Sequence, residues 1–152
     1  MQTRIAYGDA GNEGVAALGR LEGYVARSGL ERSLLELVKM RASQLNRCGY
    51  CLDMHSKDAR AAGESEQRLY VLPAWREAPF YTERERAALE WTEAVTLVAE
   101  NDISDELYER GRRQFGEDEL IDLTLAVTTI NTWNRLAIAF RSPVGSYEPR
   151  GD

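Results

Sequence analysis

The sequence predicts an all-α fold, a bundle of six to seven helices. Three observations carry that expectation. Apolar residues recur at spacings of three and four through most of the chain, capping residues stand at the heads of those segments, and no stretch alternates apolar and polar residues as a half-buried strand does. Residues 12–28 carry Val15, Leu18, Leu21 and Val25 along one face, and Gly29 stops the segment. Residues 31–46 carry Leu34, Leu35, Val38, Ala42 and Leu45, with Lys39, Arg41 and Arg47 off that face. Asn46 is the expected N-cap of a helix over 48–62 that ends at Gly63. A short Ser-capped helix over 65–74 closes near Pro73, and the stretch from Pro73 to Pro79 is a loop.

Thr82 and Glu85 form a capping box that opens a helix reaching about Glu100, with Ala88, Leu89, Trp91, Thr92, Val95 and Val98 on its apolar face. Ser104 caps the next helix, 105–115, which ends at Gly116. Residues 117–141 form the longest segment. It is apolar on more than one face, which predicts a central helix or a contact with another subunit. After Pro143 the chain is rich in Gly and Pro and is expected to be extended and flexible. No linker, low-complexity stretch or residue-level repeat interrupts the pattern, so a single domain over 1–152 is expected, with its core over about 15–141.

Composition narrows the function classes. Of the 152 residues 43% are hydrophobic and 29% charged, the balance of a globular chain. A net charge of -6 argues against nucleic acid, whose phosphates need a basic face. No apolar run approaches the roughly 20 residues of a membrane span, and the first residues lack a signal-peptide core. A cytoplasmic protein, with no membrane partner, is expected. In a reducing compartment two cysteines point to redox, catalytic or metal chemistry rather than a structural scaffold.

Both cysteines and the only histidine fall within eight residues: Cys48, Cys51 and His55. If Cys48 opens a helix, Cys51 lies about 60° and His55 about 20° around the axis from it, so all three share one face. The helix N-terminus carries partial positive charge and free N–H groups, which favour thiolate over thiol. A cysteine pKa of about 8.5 falls to roughly 3.5–7.5 in such places. The Cα separation of about 5 Å also permits a disulfide with little backbone motion. His55, one turn from Cys51, can exchange a proton with it, and Glu36 on the preceding helix can orient the ring if it is buried nearby. A zinc ion held by Cys48, Cys51, His55 and an acid such as Glu36 is a second possibility, although one helix supplies three tetrahedral ligands awkwardly. A purely structural pair is a third. Met40 and Met54 read as core filler.

Glu36, eleven residues, Cys48, two residues, Cys51, three residues, His55 resembles the E-x11-C-x2-C-x3-H signature of AhpD-like alkylhydroperoxidases, within the wider carboxymuconolactone decarboxylase-like superfamily. The flanks S-Q-L-N-R-C-G-Y-C-L-D-M-H, L-P-A-W-R-E-A-P-F-Y-T-E-R-E-R-A-A-L-E-W and I-N-T-W-N-R-L-A-I-A-F-R are similar as well, and the resemblance spans roughly 15–141. It implies an AhpD-like helical bundle with the CxxC at the N-terminus of a central helix, assembled as a homo-oligomer, a trimer or hexamer. It implies an antioxidant peroxidase cycle with no haem, flavin or metal cofactor. By position, Cys51 resembles the peroxidatic cysteine and Cys48 its resolving partner, closing a Cys48–Cys51 bridge. His55 and Glu36 resemble the proton relay. The implied partners are an organic hydroperoxide and a dithiol reductant or redox partner protein. Tyr50 stands where the family pattern has a further His, so the relay rests on His55 and Glu36. The same CxxC also suits a dithiol–disulfide oxidoreductase.

Overall fold

The computed structural model describes residues 2–149. They form α1 (Glu13–Val25), α2 (Arg32–Asn46), α3 (Gly49–Ala61), α4 (Glu66–Val71) running into a 3₁₀ turn (Leu72–Ala74), α5 (Glu83–Thr96), α6 (Asp105–Gln114) and α7 (Glu117–Phe140). Among the described residues there is no strand, and the all-α expectation holds. Ser65, Thr82 and Ser104 cap their helices as the sequence predicts, and Asn12 caps α1. Asn12, Ser65 and Ser104 accept from first-turn N–H groups, and Thr82 with Glu85 forms the reciprocal box. Two ends differ. α1 stops at Val25, and the chain turns through 26–30 with Gly29 at φ 97°, a conformation that favours glycine. α5 stops at Thr96, which leaves Val98 outside the helix and exposed.

α2 is the central helix, packed against α3, α5 and α7. Its position follows from its sequence, because every residue from Leu34 to Met40 is buried, Glu36 and Lys39 included. One face joins α1, α5, α6 and α7 in a core built on Leu34, Leu35, Val38, Trp91, Phe115, Leu123 and Val127. The other joins α3, α4 and the 73–81 loop through Leu37, Met40, Leu69, Leu72, Trp75 and Leu89. Leu123 is fully buried in the first core. Leu123→Ala is expected to destabilise the fold by about 3 kcal/mol. For a chain of this length that lowers Tm by roughly 6–12 °C in differential scanning calorimetry. A shift under a degree or two would show that the site collapses around the truncation.

A polar cluster fixes the end of α2. Asn46 Nδ2 donates to Asn134 Oδ1 at 2.8 Å and to Asn131 Oδ1 at 2.9 Å. Asn134 Nδ2 donates to Ser43 Oγ at 3.0 Å, and Asn131 Nδ2 to Thr96 Oγ1 at 3.0 Å. Ser43 and Asn134 are fully buried, so each satisfied group avoids a desolvation penalty of about 1–3 kcal/mol. The cluster ties α2, α5 and α7 together where α3 begins.

α7 is central along most of its length, with Leu120, Leu123, Val127 and Ile130 buried. Ile121 and Ile138 remain exposed. The N-terminal segment folds back on the end of this helix, Arg4 N donating to Phe140 O at 2.9 Å. That return sets Tyr7 beside Trp133, ring centroids 6.4 Å apart. Residues 144–149 are not helical, and they lie along α3. Gly145 N donates to Asp53 Oδ2 at 3.0 Å, Lys57 Nζ to Tyr147 O at 2.7 Å, and Tyr147 OH to Asp58 Oδ1 at 2.7 Å.

Candidate active site

The site begins at the turn between α2 and α3. Arg47 adopts the left-handed conformation, φ 57° and ψ 38°, and closes α2. Its N–H bonds to Gln44 O and that of Cys48 to Ser43 O, which satisfies the last carbonyls of the helix. Asn46 is therefore the last residue of α2 and not the cap of α3; the polar cluster occupies its side chain. Cys48 is the cap instead. Its Sγ accepts from Cys51 N at 3.3 Å, and α3 starts at Gly49. Both sulfurs thus sit at a helix N-terminus, where free N–H groups and the helix dipole favour negative charge.

Cys48 and Cys51 are joined as a disulfide, with Cα atoms 5.3 Å apart. They are 1% and 2% exposed. Cys51 borders a cavity of about 360 Å³, and Cys48 does not. Tyr7, Tyr50, Met54, Ile130, Trp133 and Ala137 form its apolar wall; Glu22, Glu36, Lys39, His55 and Asp58 form the polar part.

The other two predicted residues also meet there. His55 Nδ1 lies 3.0 Å from Glu36 Oε2, and both side chains are buried. Burial pushes the Glu36 carboxyl up, but the hydrogen bond and charge of His55, followed by Lys39, outweigh it and hold the group below the ordinary Glu value. An ionised carboxylate can only accept, so Nδ1 carries a proton, and in the neutral ring Nε2 is the nitrogen with the lone pair. Among the described residues, Nε2 is buried and has no hydrogen-bond partner. The geometry therefore leaves a basic nitrogen one helical turn from Cys51.

Lys39 extends this pair. Its Nζ is 2.7 Å from Glu22 Oε1 and 3.6 Å from Glu36 Oε1. Burial pulls the ammonium down, but the two carboxylates, Glu22 first, outweigh it and raise its pKa. Sequence reasoning set Lys39 aside as a basic residue off the apolar face, although it stands three positions from Glu36, one turn along the same helix. Asp58 had a similar signal, three positions after His55. Tyr7 and Trp133 had none, since residues near opposite ends of the chain form that wall. Met40 is core, as expected, whereas Met54 is half-buried in the cavity wall.

Tyr50 is half-buried beside Cys51. Burial, then Tyr7, Asp53 and Asp58, push its phenol up, so it stays neutral. A zinc site on both cysteines does not match this state, because the sulfurs are bonded to each other and offer no thiolate. Glu36, His55 and Asp58 do bring donor atoms within 4.8 Å of one another. The Lys39 ammonium against Glu36 opposes a second cation there.

An all-helical chain with a CxxC at the head of one helix, and a Glu–His pair joining that helix to the one before it, is an AhpD-like protein. The carboxymuconolactone decarboxylase family model matches residues 13–94, and the chain belongs to that family, in its AhpD-like group. It is 42% identical over 146 residues to the uncharacterized protein YdfG of Bacillus subtilis, covering 96% of this chain and 99% of that one. A crystal structure of a protein of unknown function from Agrobacterium tumefaciens, for which the antioxidant defence protein AhpD has been suggested as the identity, superposes with a TM-score of 0.91. The two are 45% identical, covering 96% of this chain and 100% of the other. The debrominase Bmp8 shares the fold with a TM-score of 0.76 at 22% identity, over 86% of this chain and 70% of its own. Among the described residues no helix is long and apolar enough to cross a membrane.

Proposed function

We propose that the chain is a thiol-dependent peroxidase that reduces organic hydroperoxides. The observation that carries this reading is the juxtaposition, on one cavity, of Cys51 with a histidine whose outer nitrogen is fixed as the base by Glu36. His55 Nε2 takes the Cys51 proton, and the helix N-terminus stabilises the thiolate. The thiolate attacks the distal oxygen of the hydroperoxide. An S–O bond forms as the O–O bond breaks, sulfur is oxidised to sulfenic acid, and the alcohol leaves with the proton returned by His55. The Cys48 thiol then attacks the Cys51 sulfur; the S–S bond forms and water leaves. An external dithiol returns two electrons and two protons to the bridge.

The burial of both sulfurs counts against the alternative of a dithiol oxidoreductase serving a large protein partner, because an attacking thiolate needs access to a sulfur. It supports a slender reductant. The exposed Ile121 and Ile138 on α7 support a homo-oligomer. The test is reaction of the reduced protein with stoichiometric cumene hydroperoxide, followed by mass spectrometry. Loss of two hydrogens mapping to Cys48–Cys51, much faster than oxidation of free dithiothreitol, is expected. Oxidation at the rate of the free dithiol would sink the proposal.

A further inference from the structure

We propose that the cavity selects uncharged, apolar hydroperoxides and turns away those bearing a carboxylate. The proposal rests on the peroxidase reading for its substrate, but the selectivity follows from the walls and charges alone. Tyr50, Ile130 and Trp133 give the cavity an aromatic and aliphatic side, and a volume of about 360 Å³ suits a small aryl or branched alkyl group. Among the described residues the polar side carries three carboxylates, Glu22, Glu36 and Asp58, against one ammonium, Lys39, and one imidazole, His55. It is net negative whether or not the ring is protonated.

Lys39 does not change this balance for an incoming anion. Its ammonium lies between Glu22 at 2.7 Å and Glu36 at 3.6 Å, its side chain is 10% exposed, and its charge is matched by those two partners. Among the described residues no arginine borders the cavity. A substrate carboxylate would shed its water to face like charges where screening is weak. An uncharged aryl group loses nothing comparable and covers the aromatic wall.

The test uses the alcohols that the reaction would release, so that binding is read without turnover. Isothermal titration of the oxidised protein compares 2-phenyl-2-propanol, its 4-carboxylate and the methyl ester of that carboxylate at pH 7. The uncharged alcohol and the larger but uncharged ester are expected to bind at least about tenfold tighter than the carboxylate. Glu22→Gln, which removes one carboxylate from the lining, is expected to narrow the gap. Equal affinity of all three probes, exclusion of the ester together with the acid, or no binding of any probe would each overturn the proposal. The peroxidase reading fails separately: selective binding with no peroxide consumption leaves the cavity's preference standing and removes the reaction.

Discussion

Cys51→Ser is expected to lose peroxide consumption, whereas Cys48→Ser, without added dithiol, is expected to consume one equivalent per protein and stop. The asymmetry follows from where the sulfurs sit. Cys51 borders the cavity one turn from His55, so a hydroperoxide can meet its sulfur; Cys48 does not border the cavity, and it caps the helix. Removing the nucleophile leaves the base and the cavity with nothing to oxidise, and the rate should fall by at least roughly three orders of magnitude. In Cys48→Ser the S–O bond still forms, but no neighbouring thiol condenses with it. A sulfenic acid should accumulate on Cys51, visible by mass spectrometry as an adduct with a 1,3-diketone trap. The measurement is peroxide loss, with excess dithiol for Cys51→Ser and without added dithiol for Cys48→Ser, run beside the trapping experiment. Turnover close to wild type in Cys51→Ser would remove the assignment of the nucleophile, and a trapped adduct on Cys48 in that variant would reverse the two roles.

Much of this site is legible in the sequence because its geometry is local. Cys48, Cys51 and His55 fall on one turn-spaced row of a single helix, so periodicity alone brings them together. Glu36 is legible only through the family spacing; nothing in L-E-L says whether its carboxylate points to water or to the core. The structure shows why it is buried. α2 is enclosed by α3, α5 and α7, so even its polar positions face other helices. The cap of α3 is misread because Asn46 suits a helix N-cap equally well, and the left-handed Arg47 that ends α2 is a residue type with no preference for that conformation. Val98 keeps the apolar spacing of α5 past the point where the helix ends, since periodicity does not report termination. The aromatic wall is not legible, because Tyr7 reaches Trp133 through contacts between the two ends of the chain, among them the backbone bond from Arg4 to Phe140.

Lys39→Met is expected to destabilise the fold while leaving both cysteines in place. The substitution keeps an apolar stem of similar length but removes the cation between Glu22 and Glu36, whose carboxylates then face each other partly buried. Breaking such an arrangement by deleting one partner costs about 3 kcal/mol, a fall in Tm of roughly 6–12 °C. The pH dependence separates charge from packing. Glu36 has a folded-state pKa below its ordinary value of 4.5, where burial is outweighed by His55 and then Lys39. Its contribution is therefore present above pH 4.5 and lost as pH falls through the lower folded value. Lys39 has a folded-state pKa above 10.5, so its contribution is complete below that pH and lost as pH rises through the higher folded value. Between these limits the variant should show its full deficit in urea unfolding. Below about pH 4.5 the deficit should shrink, because protonation ends both the attraction in the wild type and the repulsion in the variant. A deficit that stays constant as the pH falls from 7 to well below 4.5 would mean that Lys39 acts through packing that methionine does not reproduce, and not through its charge. In that case the lowered pKa of Glu36, which keeps a proton on His55 Nδ1, would have to rest on His55 alone.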